Sequence, residues 1–291
     1  MDAKDIINEV DRINWCPPRP FQNDELGDAG AMTELEKYLF DVQGFLNVKD
    51  VLSSSEVYEL NQLIDAQDLP QPGLTTSETY FGQAGPDKTP SGWVDWDARF
   101  CGLLCHPRIM PILHWLHGTD LRLNQVTAIH ARKGTKGQAL HAARDTQYYV
   151  WNGRVCAGLT VVAWHLRDSG PEQGGFCCIP GTHKTNYPFT VPQDVYPHFV
   201  PKEIHEAHED AECVIVPESP AGSVTIFSEA LTHGSVSWKA DHERRALLLK
   251  YSPFWQVHVP DHLPVQPTCV ELTDEQKRLY ELFTTCWPSD G

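Results

Sequence analysis

Apolar positions recur at helical spacing in the first part of the chain and at strand spacing after residue 120. In Val51–Ala66, Val57, Leu60, Leu63 and Ile64 fall on one side of a helix. Ser53, Ser54 and Ser55 are available as its caps, Glu56 lies in the first turn, and Pro70 and Pro72 stop it. Ala29–Leu39 and the phrase FDVQGFLNVKD that follows predict a helix and a short strand ahead of it, and Cys105–Leu116 predicts a further helix. Residues 71–100 are rich in Gly, Pro, Thr and Asp and read as a long loop, the kind of segment that serves as a lid or binding element.

From Leu121 the period shortens. LNQVTAIHA, ALHAARDTQYYVW, GLTVVAWHL, GGFCCIP, SVTIFS and RRALLLKYS are strand-like runs, separated by the turn phrases GTKG, DSGPEQGG and PESPAG. No strand, long helix, strand alternation joins them, so the pattern predicts an antiparallel sandwich or barrel. Thr273 as a cap, Gln276 three residues on, and Leu279, Leu282 and Phe283 on one face predict a closing helix. The expected organisation is one domain over residues 1–291. It has a helical N-terminal layer at about 30–116, a strand-rich core at about 121–255 and a C-terminal helix at about 273–284.

Composition adds limits. The chain has 291 residues, 41% hydrophobic and 21% charged, which suits a large buried core. A formal charge of -16 disfavours a nucleic-acid polymer or an anionic membrane surface as partner. No run approaches the roughly 18 apolar residues of a membrane span. The start, MDAKDIINEVDRINW, lacks the form of a secretory signal, and nine scattered cysteines suit buried thiols in a reducing compartment. The expected location is cytoplasmic; oligomeric state is left open.

Candidate chemistry centres on two of the 14 histidines. His141 lies in the alternating run Ala139–His141–Ala143, and His233 follows the run SVTIFS. Arg244 opens RRALLLKY, with Arg244, Ala246 and Leu248 on one side of a strand and Arg245 on the other. Two imidazoles with open coordination positions suit a borderline metal such as iron, and an arginine fork suits a carboxylate co-substrate. Each feature alone has a plain alternative, a satisfied polar histidine or a surface ion pair.

Together with their phrases these residues resemble the phytanoyl-CoA dioxygenase family of iron(II)/2-oxoglutarate oxygenases. The phrases are FDVQGFLNVKDVLS, LRDSGPEQGGFCCIPGTHKTNY (Leu166 to Tyr187) and LTHGSVSW with the following RR and KYSP. The resemblance runs from about Phe40 to Pro253. It implies a mainly β fold with flanking helices, a double-stranded β-helix (jelly-roll, cupin-like). It also implies Fe(II), 2-oxoglutarate and O2 as cofactor and co-substrates, and oxidation of an unactivated C–H bond in a small-molecule substrate. By the resemblance His141 and His233 are metal ligands and Arg244 binds 2-oxoglutarate, with Arg245 its alternative should the register slip. His183, in the loop with Gly181, is a further candidate for substrate contact.

The departure is at Ala143, where the family pattern has an acid. Three readings stay open. A halide, chloride first, fills the vacant position and the enzyme is a halogenase, since the related halogenases have Ala or Gly there; this oxidative halogenation is the favoured expectation. Alternatively Asp145, Asp168 or Glu229 supplies a displaced acid and the enzyme is a hydroxylase. The third reading is a non-catalytic cupin-like binding protein. Arg132, Lys133 and Lys136 form either a solvated turn or a capture site for an anionic substrate. Tyr80, Trp93, Trp96, Tyr148 and Tyr149 are candidates to line its pocket.

Overall fold

The computed structural model describes residues 32–72, 79–85, 89–143, 148–151, 153–187, 200–258, 260 and 263–281. Helix α1 (Glu34–Gln43) starts at a capping box, in which Thr33 accepts from the Glu36 backbone and Glu36 reaches back to the Thr33 backbone. It ends at Gly44, whose left-handed conformation brings its Cβ position within 2.5 Å of the His183 ring, so only glycine fits. Strand β1 (Phe45–Val48) and helix α2 (Ser54–Asp65) follow, the latter capped in the same way by Ser53 and Glu56.

Residues 71–100 are more structured than a loop where they are described. β2 (Thr79–Phe81) joins the edge of a sheet, a single 3-10 turn spans Gly92–Asp95, and α3 (Ala98–Cys101) is capped by Asp97. Helix α4 (Met110–His117) begins later than the apolar spacing suggests. Pro107 disfavours helical backbone at His106, so the helix forms only beyond it.

The remaining strands are β3 (Leu121–Ala131), β4 (Tyr149–Trp151), β5 (Arg154–Cys156), β6 (Thr160–His165), β7 (Gly175–Cys178), β8 (Val224–Ser228), β9 (His233–Val236) and β10 (Arg244–Pro253). A 3-10 turn (Thr182–Lys184) and two short helices, α5 (Lys202–Glu206) and α6 (Asp274–Arg278), complete the described elements; α6 starts at the Thr273–Gln276 capping box, and residues 282–284 lie outside the described residues.

The architecture corrects the jelly-roll expectation. The main sheet runs β1-β8-β6-β10-β3-β2, all neighbours antiparallel, with β1 and β2 as two separate edges. β4–β5 and β7–β9 are separate two-stranded ribbons, so among the described strands no sheet closes on itself. The result is a mixed α/β fold with several sheets, not a double-stranded β-helix. One physical reason lies in ALHAARDTQYYVW, expected to be a full strand. Its described residues contribute the three-residue β4 and an isolated bridge between His141 and His233, and residues 144–147 lie outside the described residues.

Alternation along the main sheet divides its two faces. Val126, Ala128, Val162, Trp164, Ile226, Leu247 and Leu249 pack with Phe40, Leu60, Ile64 and Ile112 of the helices in the main core. Burial of that layer is the principal stabilisation of the sheet, at roughly 1.5–3 kcal/mol for each large side chain. The opposite face turns toward the β7–β9 ribbon, and there the chemistry-bearing residues collect.

Candidate active site

Between the main sheet and the β7–β9 ribbon lies a cavity of about 180 Å³. Its lining includes His141, His233, Glu229, Arg244 and Lys250, with Val161, Phe176, Phe227 and Leu248 as apolar wall. His141, Arg244 and His233, distant in sequence, are thus brought to one place.

The two histidines are set by backbone. His141 N–H donates to the His233 carbonyl at 2.8 Å and His233 N–H returns to the His141 carbonyl at 2.9 Å, leaving the ring centroids 4.3 Å apart. In each ring Nδ1 lies against the carbonyl two residues back, Ala139 for His141 (2.9 Å) and Leu231 for His233 (2.7 Å). A carbonyl only accepts, so Nδ1 carries the proton and Nε2 keeps its lone pair. That is the tautomer a metal-binding imidazole needs. Burial, with His141 nearby, pushes the His233 pKa down to about 3, which keeps its ring neutral near pH 7.

Ala143 donates its backbone N–H to the carbonyl of Glu229 at 2.8 Å. The Glu229 carboxyl is therefore on the segment that runs beside the position where the family acid is missing. It is 4% exposed, and its Oε1 meets Lys250 Nζ at 2.6 Å. Burial alone would raise its pKa; the Lys250 charge and hydrogen bond and the adjacent His233 and His141 reverse this and hold it at about 2. Lys250 is the dominant partner near neutrality, because a neutral His233 contributes no charge there. Among the described residues no three His, Cys, Asp or Glu side chains converge as a ready metal cluster. The donor set nonetheless fits iron in type: two Nε2 lone pairs and an ionised carboxylate in one cavity.

The other acids differ. Asp168 accepts from the Ala221 backbone and does not line the cavity. Asp145 lies outside the described residues.

Arg244 heads β10 and is buried against the cavity. A Cβ on Gly175 would approach Arg244 Nε to 3.2 Å, so the glycine leaves room for the guanidinium. Beside it His165 bonds Thr225 Oγ1 through Nε2 (2.8 Å) and Ser169 Oγ through Nδ1 (3.2 Å). Burial and the Arg244 charge push the His165 pKa down to about 3, so it crowds the arginine without opposing its charge. Arg245 points the other way, to Asp65 (2.7 Å), Glu243 (2.8 Å) and Asn61.

The remaining candidates separate from the site. His183 is buried on the Asp41 carbonyl, and Lys133 pairs with Asp241 in the turn after β3. Trp93 is core and donates to the Thr127 carbonyl, Tyr148 donates to Asp41, and Tyr149 is exposed. Of the five aromatic candidates, Tyr80 lines the cavity. Lys250 and His165 went unnoticed in the sequence. The available signal was alternation: continued two steps past Ala246 through Leu248, it puts a lysine on the inward face of a buried strand, an uncommon place for that residue.

A family model described as Phytanoyl-CoA dioxygenase (PhyH) matches residues 40–246. Among solved structures, HygX from Streptomyces hygroscopicus with nickel, 2-oxoglutarate and hygromycin B bound is 20% identical with a TM-score of 0.63, over 78% of this chain and 89% of that one. EctD from S. alaskensis with 2-oxoglutarate and 5-hydroxyectoine is 18% identical with a TM-score of 0.55, over 79% of each chain. The non-heme alpha ketoglutarate dependent carbocyclase SnoK from nogalamycin biosynthesis is 16% identical with a TM-score of 0.53, over 76% of this chain and 83% of that one. At these identities the likeness is one of fold. No helix among the described residues is long and apolar enough to cross a membrane.

Proposed function

We propose, for a chain that belongs to the phytanoyl-CoA dioxygenase (PhyH) family of iron(II)/2-oxoglutarate oxygenases, that it hydroxylates an unactivated C–H bond of a small molecule, with Glu229 as the displaced acid. The observation that carries this reading is the buried, ionised Glu229 carboxylate, lining one cavity with His141 and His233 and tied through its backbone to Ala143. Iron(II), 2-oxoglutarate and O2 supply the oxidising power once bound. His141 and His233 offer Nε2 to the metal, and Glu229 offers the negative charge that Ala143 does not. Arg244 receives the far carboxylate of 2-oxoglutarate in a paired, charge-assisted contact. Val161, Phe176, Phe227 and Leu248 exclude water around the reacting bond.

Halogenation, the expectation built on Ala143, is the weaker reading. A buried, ionised Glu229 beside the two imidazoles would compete with a halide for the same metal position. The test is anaerobic reconstitution with iron(II) and 2-oxoglutarate, following the charge-transfer absorption with and without chloride. The wild type should form the band and be indifferent to chloride, whereas Glu229→Ala should bind iron more weakly and gain a chloride response. A chloride-dependent band in the wild type would reverse the order of the two readings.

A further inference from the structure

Away from the cavity, two thiols distant in sequence face each other. Cys101 closes α3, and Cys269 lies on the segment that leads into α6, 168 positions later. Their sulfurs are 3.8 Å apart, and both lie against the Val94 carbonyl, at 3.1 Å for Cys101 and 3.8 Å for Cys269. A disulfide needs the sulfurs at about 2 Å, so closure asks for a shift of roughly 2 Å shared between two side chains.

The backbones around the pair are held together independently of the sulfurs. The Asp95 carboxylate accepts from the Cys269 N–H at 2.7 Å and from the Thr268 N–H. Along the same seam Val265 N–H donates to the Pro90 carbonyl (3.1 Å) and Ser91 Oγ to the Gln266 carbonyl (3.2 Å). Gln276 Nε2 donates to the carbonyl of Cys101 itself at 2.8 Å. Ordering the two segments has therefore already brought the thiols into range.

Unequal exposure sets the order of events. Cys269 is exposed to a dissolved oxidant, whereas Cys101 is 2% exposed and faces Cys269. Burial pushes the Cys101 thiol up to about 12 and raises Cys269 as well. Because the thiolate is the attacking species, the reaction is slow near pH 7 and quickens as pH rises. A thiol of high pKa is also a poor leaving group, so the bond once made is slow to open.

We propose that Cys101 and Cys269 are a modification site, an oxidation-dependent disulfide that staples residues 265–276 to residues 90–101. The oxidant is a low-molecular-weight disulfide. Cys269 gives up its proton and its sulfur attacks the small disulfide, forming a mixed disulfide and releasing one small thiolate. Cys101 then gives up its proton and attacks the Cys269 sulfur, releasing the second. Two protein thiols are oxidised, one small disulfide is reduced, and the two protons pass to the released thiolates. Neither cysteine lines the cavity, so the staple acts on the stability of the fold and stands apart from the oxygenase reading.

The test treats the full chain with oxidised glutathione at mildly alkaline pH and compares it with the same protein kept reduced. Peptide mapping without reduction and thermal unfolding are the readouts. Oxidised wild type should yield a linked peptide pair containing Cys101 and Cys269, and a thermal midpoint about 5 °C or more above the reduced form. Cys269→Ser changes an exposed side chain, so it should keep the reduced-state midpoint while losing both the linked pair and the oxidative shift. Cys101→Ala should lose both as well, whatever it does to the reduced midpoint. Glutathione retained on Cys269 with no linked pair would overturn the inference. So would linkage of either cysteine to a different thiol of the chain, or a Cys101–Cys269 bond that leaves the midpoint unchanged.

Discussion

The two ends of β10 treat a buried cation in opposite ways. At Arg244 two described neighbours shape the space: a glycine that leaves room, and a histidine held uncharged between Ser169 and Thr225. At Lys250 the cation is already matched by the Glu229 carboxylate at 2.6 Å. A recess beside a glycine gives a guanidinium room to take a planar carboxylate, whereas a lysine held by an internal pair must exchange partners to bind anything else. The two ends therefore differ in shape at one and in pairing at the other.

The strongest test of that contrast removes one partner from each part of the site. His233→Ala takes away one of two imidazoles, and metal uptake measured by calorimetry with nickel(II) should be lost. Arg244→Leu should leave metal uptake nearly unchanged while weakening 2-oxoglutarate by about 2–3 kcal/mol, the scale of hydrogen bonds to a charged group. Equal loss of metal and co-substrate in Arg244→Leu would merge the two functions that the geometry separates.

At the other end, Lys250→Met strands a buried carboxylate, and denaturant unfolding should show a loss of about 3–5 kcal/mol. Replacing both members, as Lys250→Met/Glu229→Leu, should recover most of that loss, because no uncompensated charge remains. A double variant as unstable as the single one would mean that packing, and not charge, sets the stability of this end.

These two ends also differ in how far the sequence revealed them. Arg244 was legible because its spacing from His233 and its phrase are carried by contiguous residues. The caps at Ser53, one of three adjacent serines, and Thr273 were legible for the same reason: a capping box is written within four residues. Glu229 stood only as one of three acids, since its relation to Ala143 is a backbone bond between distant segments. Lys250 was absent, because its partner is known only once the end of β8 faces β10 across the intervening β6. The open sheet was expected to close as a sandwich or barrel, and by the family resemblance as a jelly roll, because strand-like runs report period and not closure. Residues 139–151 have the period, yet their described members yield one bridge and one side of a short ribbon.

Acid should destabilise the Arg244 end. The folded-state pKa of His165 is depressed to about 3 from an ordinary value near 6.5. The unfolded chain therefore takes up a proton below pH 6.5 that the folded chain refuses. Stability falls as pH drops through that window, by about 1.4 kcal/mol per pH unit for this group, and levels off near pH 3. His165→Gln should lower stability at pH 7 but flatten the slope between pH 6 and 4, read from thermal unfolding at each pH. An unchanged slope would locate the acid sensitivity elsewhere, for instance at His117, whose pKa burial also lowers to about 3.

The smallest effect isolates the space beside Arg244. Gly175 has φ +104° and would place a Cβ 3.2 Å from Arg244 Nε; Gly153 has φ +75° and would place one with nothing within 4 Å. An alanine at either position adopts a backbone conformation that disfavours a side chain, at about 1–2 kcal/mol. Both Gly175→Ala and Gly153→Ala should therefore lose stability by similar amounts. Only Gly175→Ala also presses on the guanidinium, and only it should weaken 2-oxoglutarate binding, by several-fold, with metal uptake intact. If both variants bind the co-substrate equally well, the glycine serves the turn into β7 and the room it leaves for Arg244 is incidental.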